Sequence, residues 1–314
     1  MRSDKELREA GPPKTYDWTL LSNTCYRKLY WFLRGLDYAT IPAYFVFGQA
    51  WQLALDSWYT PQVGIDWSPA EIKKHRDRAI EVARKHWMDS YSIGTSIAPA
   101  GAGSNTWENL EVLFKMYCKT YTVEPYRVLG AEKGWVWPLA GTPWMLGGSI
   151  DDYIEWEGLG SLVQENKTSG IYLSDQYIKQ WDHSGQVSLY IWYLNQLKGK
   201  EVYGAYMNMA CKRIPKKKVP DNLFARDLQT RTPERLDQFL EEQVVSKILD
   251  IEREWDRWLW PRTGFQVECV GGMGKSPCLY RPLCLLDVPI SEQDPSAFQG
   301  FAWRTEEWAP WERG

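Results

Sequence analysis

Apolar residues recur at helical spacing over residues 19–35, where Leu20, Leu21, Cys25, Leu29, Phe32 and Leu33 alternate with basic positions, and this predicts a first helix. A second is predicted over 43–59 and stopped by Thr60-Pro61. A third starts at Ser68-Pro69, with Ser68 as N-cap and Glu71 completing a capping box. A fourth covers 107–122. Between the last two, residues 94–106 are small and glycine-rich and read as a loop. Residues 1–18 are polar and carry Gly11-Pro12-Pro13, which predicts a flexible arm.

The period changes after Pro125. Val128 to Leu139 is rich in strand formers, and Ser149–Trp156 and Ser161–Thr168 read as two strands around Glu157-Gly158-Leu159-Gly160, a hairpin signal. Helical spacing returns over 175–197, and a further strand is predicted over Tyr203–Cys211. Residues 212–231 are basic and loop-like. Thr232-Pro233-Glu234 opens a long amphipathic helix that Pro261 stops. The pattern implies an α/β fold, a mixed central sheet flanked by helices. It divides into an arm (1–18), a helical region (19–125), a core (126–211) and a C-terminal part (212–314), all within one compact domain.

Composition narrows this picture without redirecting it. Of 314 residues, 44% are hydrophobic and 25% charged, a globular balance that excludes whole-chain disorder. No apolar run reaches the ~18 residues of a membrane span. The opening residues Met1 to Glu6 show no apolar stretch of a signal peptide. The expected compartment is therefore the reducing cytoplasm of a bacterium or phage-infected host, where disulfides are not expected. The net charge of -3 does not advertise a nucleic-acid binder, but an acidic metal site fed by local basic patches is compatible with it. Nineteen tryptophans stand out. Most are expected in the core, with some of Trp31, Trp51, Trp58, Trp181 and Trp192 available to stack on unpaired bases.

The chemistry gathers at the hairpin. Glu165 and Lys167 lie two apart in a strand and share a face. The partner across the hairpin depends on loop parity: an odd loop, 157–159, sets Asp151 opposite Glu165, and an even loop, 157–160, sets Asp152 there. Both lengths occur, so spacing leaves the choice open. An Asp, a Glu and a Lys converging on one face suit phosphodiester hydrolysis. Hard carboxylates hold Mg²⁺ or Mn²⁺, the ion activates a water, and the ammonium offsets charge in the transition state. An ordinary salt-bridge ladder would use the same residues.

The run Gly148-x-Ile150-Asp151, then Glu165-x-Lys167-Thr168, then Gln186-x-x-x-Tyr190 resembles the PD-(D/E)XK nuclease superfamily, in particular its RecB-like exonuclease branch. The resemblance implies a restriction-endonuclease-like core and selects Asp151 over Asp152. It makes Asp151 and Glu165 metal ligands and Lys167 the water-orienting group, and it places Gln186 and Tyr190 beside the DNA. The segments around Leu21–Tyr30 and Phe47–Gln52 are similar to the family's opening helices. Gln52 stands where the family carries a metal-proximal His, so it offers a carbonyl oxygen that cannot titrate. Glu132 resembles an acidic residue of the preceding strand.

Cys269-x₈-Cys278-x₅-Cys284 reads as metal binding but is not a zinc-ribbon spacing. The iron–sulfur members of the same branch carry one Cys in the first helix and three near the C-terminus. The resemblance therefore implies a [4Fe–4S] cluster on Cys25, Cys269, Cys278 and Cys284, clasping the chain ends, with zinc or free thiols as alternatives. Cys118 and Cys211 lie in apolar stretches and are expected to be buried. The basic stretches Lys73–Arg78 and Lys212–Lys218 are candidates for phosphate contact; Arg226 and Arg231 belong to the same basic, loop-like segment as the second.

The expected function is a metal-dependent DNA exonuclease acting on single-stranded ends in recombination, replication or repair, with a helicase or recombination protein as partner and no membrane association. A structure-specific endonuclease and a non-catalytic DNA-binding subunit of the same fold are the alternatives. Trp303, Trp308 and Trp311 are expected to pack.

Overall fold

The computed structural model describes residues 2–60, 67–92, 103–198, 202, 204–214, 223–262, 269–271, 277–286, 288–298 and 300–312. Its principal helices are α1 (Asp4–Ala10), α2 (Trp18–Leu21), α3 (Tyr26–Leu33), α4 (Ala43–Tyr59), α5 (Pro69–Ser92), α6 (Trp107–Thr120), α7 (Asp175–Lys179), α8 (Gly185–Lys198), α9 (Pro233–Phe239), α10 (Ser246–Asp256) and α11 (Arg281–Cys284). The strands are β1 (Thr15–Tyr16), β2 (Leu36–Tyr38), β3 (Tyr126–Pro138), β4 (Met145–Trp156), β5 (Gly160–Ser169), β6 (Gly204–Cys211), β7 (Phe224–Thr230) and β8 (Phe301–Trp303). Six strands form a mixed sheet in the order β1-β4-β5-β6-β7, with β3 also paired to β4, and β2 and β8 form a separate ladder. This is the α/β architecture, a mixed sheet flanked by helices, that the hydrophobic pattern implies.

The chain resolves into two compact units. One comprises residues 1–40, 135–148 and 237–312, and the other 41–134, 149–236 and 313–314. In the first, the N-terminal stretch departs from expectation. Ser3 and Glu6 form a reciprocal capping box at the start of α1, and Leu7 is buried, so residues 4–10 are an anchored helix rather than a flexible arm. The C-terminal tryptophans pack here too. Trp303 pairs with Leu36 across the β2–β8 ladder, and the Trp308 indole donates to Asp17 at 3.0 Å. A Cβ on Gly147 would meet the Trp311 ring at 2.9 Å and the Trp135 carbonyl at 3.2 Å, so only glycine fits.

The second unit carries the chemistry. Ser68 caps α5 as the sequence predicts: Glu71 N–H donates to its Oγ at 3.3 Å, and Ser68 N–H donates back to the Glu71 carboxylate at 2.8 Å. The β4–β5 hairpin pairs Asp152 with Gln164 and Trp156 with Gly160. The loop is therefore residues 157–159, the odd alternative. Gly158 (φ 84°) and Gly160 (φ 82°) are both left-handed, a conformation glycine adopts at no steric cost. β5 and β6 run parallel, joined through α7 and α8, and β6 and β7 run antiparallel.

β7 is itself a correction. Residues 224–230 sit in the charged stretch expected to be a loop, yet they pair along their whole length with β6. The predicted long helix from 232 is also interrupted. α9 passes into a π-helical turn, Leu240–Val245, before α10, and Trp258 closes the segment with φ 50°.

Candidate active site

Alternation along β4 and β5 gives their hairpin two chemically different faces. On the front face lie Asp151, Glu165 and Lys167. The register that pairs Asp152 with Gln164 brings Asp151 across from Glu165 one step further on. The Asp151 carboxylate accepts the backbone N–H of Asn166 at 2.8 Å. The Lys167 ammonium forms an ion pair with Glu165 Oε1 and donates to Gln186 Oε1 at 3.2 Å. Gln186 in turn donates to the Tyr190 hydroxyl at 2.8 Å. The two residues lie one helical turn apart on α8, so their side chains stack on one face. The structure thus joins Asp151, Glu165, Lys167, Gln186 and Tyr190 into one constellation.

Its electrostatics are unbalanced. Burial, then the neighbouring Glu165 charge, push the Asp151 carboxyl well above its ordinary range. Burial alone would lower Lys167, but Glu165 and Asp151 outweigh it and the ammonium ends above its ordinary value, fixed in the charged form at neutral pH. Glu165 is 2% exposed, and its Oε2 has no hydrogen-bond partner. A buried carboxylate oxygen without a donor is costly, and a cation would relieve it. Two carboxylates are a sufficient protein contribution for Mg²⁺, which keeps several waters. Among the described residues no group of three or more His, Cys, Asp or Glu side chains gathers as a metal cage.

The other expected residues fall differently. Gln52 donates to Asp56, one turn further along α4, at 2.7 Å. Glu132 lies in β3, and its side chain is outside the described residues. Trp31, Trp51, Trp58 and Trp192 are all buried and unable to stack on a base. In α4, Phe47, Trp51, Leu55 and Trp58 form an inward stripe at helical spacing, and that stripe was the signal for it. Trp181 alone of the five is only partly buried, and its ring centre lies 5.7 Å from the Lys167 ammonium.

The basic stretches also divide. Lys73 and Arg76 on α5 are paired with Asp77 at 2.9 and 3.1 Å, and Lys74 and Arg78 are exposed. Lys216 to Lys218 lie outside the described residues. Lys212 is not a solvated phosphate contact, and Arg226 and Arg231 of the same basic segment are turned inward as well. Lys212 is 6% exposed, with its ammonium on Asn105 Oδ1 at 2.6 Å and 5.1 Å from the Phe47 ring centre. Arg226 pairs with buried Glu124 through two 2.6 Å hydrogen bonds. Arg231 is buried, bonded to Ser188 Oγ at 3.0 Å and to the Trp181 carbonyl at 2.9 Å.

The four cysteines all fall in the first unit. Cys25 immediately precedes α3, Cys278 N–H donates to the Cys269 carbonyl at 3.3 Å, and Cys284 ends α11. Burial raises both the Cys278 and Cys284 thiols, Cys284 to about 11. Cys25 lies close enough to raise each of them further, as does Cys269 for Cys278. Cys118 and Cys211 are buried as expected.

What sequence reading missed is the back face of the same strands, where Asp152 and Gln164 are polar yet fully buried, with half-buried Asn166 beside them. Consecutive polar positions in a central hairpin, Asp151-Asp152 on one strand and Gln164 to Thr168 on the other, instead of alternate ones, were the available signal.

No family model matches the chain, and no curated protein matches it. Among solved structures, the protein SSO0001 is 13% identical over 88% of this chain and 89% of its own, with a TM-score of 0.37. A Eubacterium rectale protein provisionally named an exonuclease is 14% identical over 72% and 83%, with a TM-score of 0.38. A phage-related exonuclease from Haemophilus somnus 129PT is 13% identical over 66% and 93%, with a TM-score of 0.26. At these scores the likenesses carry no functional weight.

Proposed function

We propose that the chain is a metal-dependent DNA exonuclease of the PD-(D/E)XK type. The observation that carries this reading is the front face of the hairpin: two adjacent carboxylates, one with a buried unpartnered oxygen, beside a lysine held in its charged form. A Mg²⁺ or Mn²⁺ ion on Asp151 and Glu165 would polarise a phosphodiester and acidify a water beside it.

The chain's own groups do the rest. Lys167 projects its ammonium from the same face as both carboxylates, where it orients a water for in-line attack and offsets the negative charge that builds on the phosphoryl oxygens. Gln186 holds that ammonium by its carbonyl oxygen, and Tyr190 fixes the Gln186 amide. Trp181, partly exposed and next to Lys167, offers a ring face for an unpaired base, which favours single-stranded ends as substrate.

The same reading gives Cys25, Cys269, Cys278 and Cys284 a [4Fe–4S] cluster of structural role. Each thiolate binds a different iron, so the four need not converge on a point. Protein purified without oxygen should carry iron and acid-labile sulfide in equal amounts. Zinc without sulfide would replace the cluster by a zinc site.

The deciding experiment is an end-labelled DNA assay with Mg²⁺ or Mn²⁺, on linear single strands, linear duplexes and closed circles, beside Lys167→Ala. Degradation of linear single strands with circles intact, falling on the order of 10²–10³-fold in the variant, is the expected result. Cut circles would make the enzyme an endonuclease. Binding without cleavage by cluster-loaded protein would make it a non-catalytic subunit.

A further inference from the structure

The back face of the hairpin carries a hydrogen-bond chain that ends at the candidate active site. Its far end is Arg226 on β7, whose guanidinium is clamped on both oxygens of Glu124 at 2.6 Å and lies 3.5 Å from the Tyr121 ring centre. Arg226 Nε donates to Asn208 Oδ1 at 3.1 Å. Asn208 Nδ2 donates to Asn166 Oδ1 at 2.7 Å and to the Tyr117 hydroxyl at 2.7 Å. Asn166 Nδ2 donates to Asp152 Oδ2 at 2.8 Å, and the backbone N–H of Asn166 donates to Asp151 Oδ2 at 2.8 Å.

The direction of this chain is fixed by chemistry. A guanidinium only donates and a carboxylate only accepts. Asn208 must therefore turn its oxygen to Arg226 and its nitrogen to Asn166, and Asn166 must turn its nitrogen to Asp152. Every amide between the two charges has one allowed orientation. Asn166 is thereby held on both sides of the sheet, by its side chain behind and by its N–H in front.

We propose that Asn208, braced by Arg226 against Glu124, is a positioning residue for the active site: it fixes Asn166, and Asn166 fixes the Asp151 carboxylate that Glu165 repels. The effect on turnover rests on the nuclease reading above, while the mechanical coupling does not. Supporting groups of this kind orient ligands that would otherwise reorganise at each turnover.

The test uses two variants of the full chain. Asn208→Asp keeps the side-chain volume and gives Arg226 a carboxylate, so the brace survives, but it removes the donor to Asn166. Tyr117→Phe removes a hydroxyl to which Asn208 and Arg226 Nη2 both donate, at 2.7 and 2.9 Å, and leaves the Arg226–Asn208 and Asn208–Asn166 bonds in place. In Asn208→Asp, kcat should fall on the order of 10- to 100-fold with KM within about 2-fold, at a temperature where both variants are fully folded. In Tyr117→Phe, kcat should stay within about 2-fold of wild type. The second readout is the Asn166 amide itself in selectively ¹⁵N-asparagine-labelled protein. Its resonance should move and its exchange quicken in Asn208→Asp, and neither should change in Tyr117→Phe. An unchanged Asn166 amide in Asn208→Asp overturns the proposal, as does equal loss of kcat in both variants. If the wild type cleaves no DNA, the nuclease reading fails, and the amide readout decides the coupling alone.

Discussion

The two faces of strand β5 place charged and polar groups within a few ångströms of one another under opposite rules. Behind the sheet, Gln164, Asn166 and their partners form a network in which Arg226 is matched to Glu124 and every intervening amide is oriented. In front, Asp151 and Glu165 repel each other, Lys167 faces both, and Glu165 Oε2 has no donor. Behind the sheet Gln164 Oε1 also lacks a donor, but it is a neutral amide oxygen; in front the oxygen without a donor belongs to a carboxylate. Unrelieved charge is therefore where a ligand belongs, since functional sites are where local rules of satisfaction are broken. The back face shows where the stability that tolerates this comes from.

The largest break to that comparison is Glu124→Ala. It leaves the Arg226 guanidinium buried without its carboxylate, and removing one partner of a buried pair costs about 3–5 kcal/mol. Urea denaturation should show the midpoint falling with an unchanged slope. A loss below ~1 kcal/mol would mean that the tyrosine rings around Arg226, not the carboxylate, carry the charge. Lys212→Met is smaller and opposite in sign. Lys212 is buried against Phe47 with Asn105 as its hydrogen-bond partner, and burial lowers its pKa to about 8. The unfolded chain holds this proton up to its ordinary value of 10.5, so wild-type stability rises with pH between the two values. The variant should be more stable at pH 7 by about 1–2 kcal/mol after losing the Asn105 hydrogen bond, and its advantage should vanish above the upper value. A constant gap across that window would place the ammonium in contact with water.

The sequence made the front face readable and hid the back. Glu165 and Lys167 share a face by strand parity, and Gln186 and Tyr190 share one by helical spacing; both are local rules. The loop parity that chose Asp151 needed backbone conformation, the left-handed Gly158 and Gly160. Arg226 and Lys212 were read as part of a basic, loop-like segment, because charge-rich stretches usually are loops. Their partners are remote: Glu124 precedes Arg226 by 102 positions and Asn105 precedes Lys212 by 107. No local pattern carries such a pairing. Four of the five tryptophans named for stacking are buried, in line with the expectation that most pack in the core, but which one stays accessible was not legible. Composition drew attention to them singly, while the stripe Phe47, Trp51, Leu55, Trp58 spoke for the core.

The sharpest comparison is the same substitution at two neighbouring residues. Asp151 and Asp152 are adjacent in β4 and face opposite ways. The folded state raises the Asp151 pKa, by burial and by Glu165. A carboxyl whose folded pKa lies above its unfolded value contributes stability at low pH and loses it as pH rises through the folded value. At pH 8, without divalent metal, Asp151→Asn should therefore stabilise the chain by about 1 kcal/mol, and the gap should close as pH falls below about 3, where aspartate is protonated in both states. Asn keeps an oxygen for the Asn166 N–H, so the hydrogen bond is not the variable. Mn²⁺ should raise the melting temperature of the wild type and not of this variant. Asp152→Asn should do the reverse. Its carboxylate accepts from Gln164 at 3.1 Å and Asn166 at 2.8 Å, and exchanging a charged acceptor for a neutral one in a buried network costs about 1 kcal/mol. If Asp151→Asn is the destabilising member of the pair, the Lys167 and Asn166 contacts outweigh the repulsion from Glu165. The front face would then be a closed ion-pair network, with no unrelieved charge for a metal to answer.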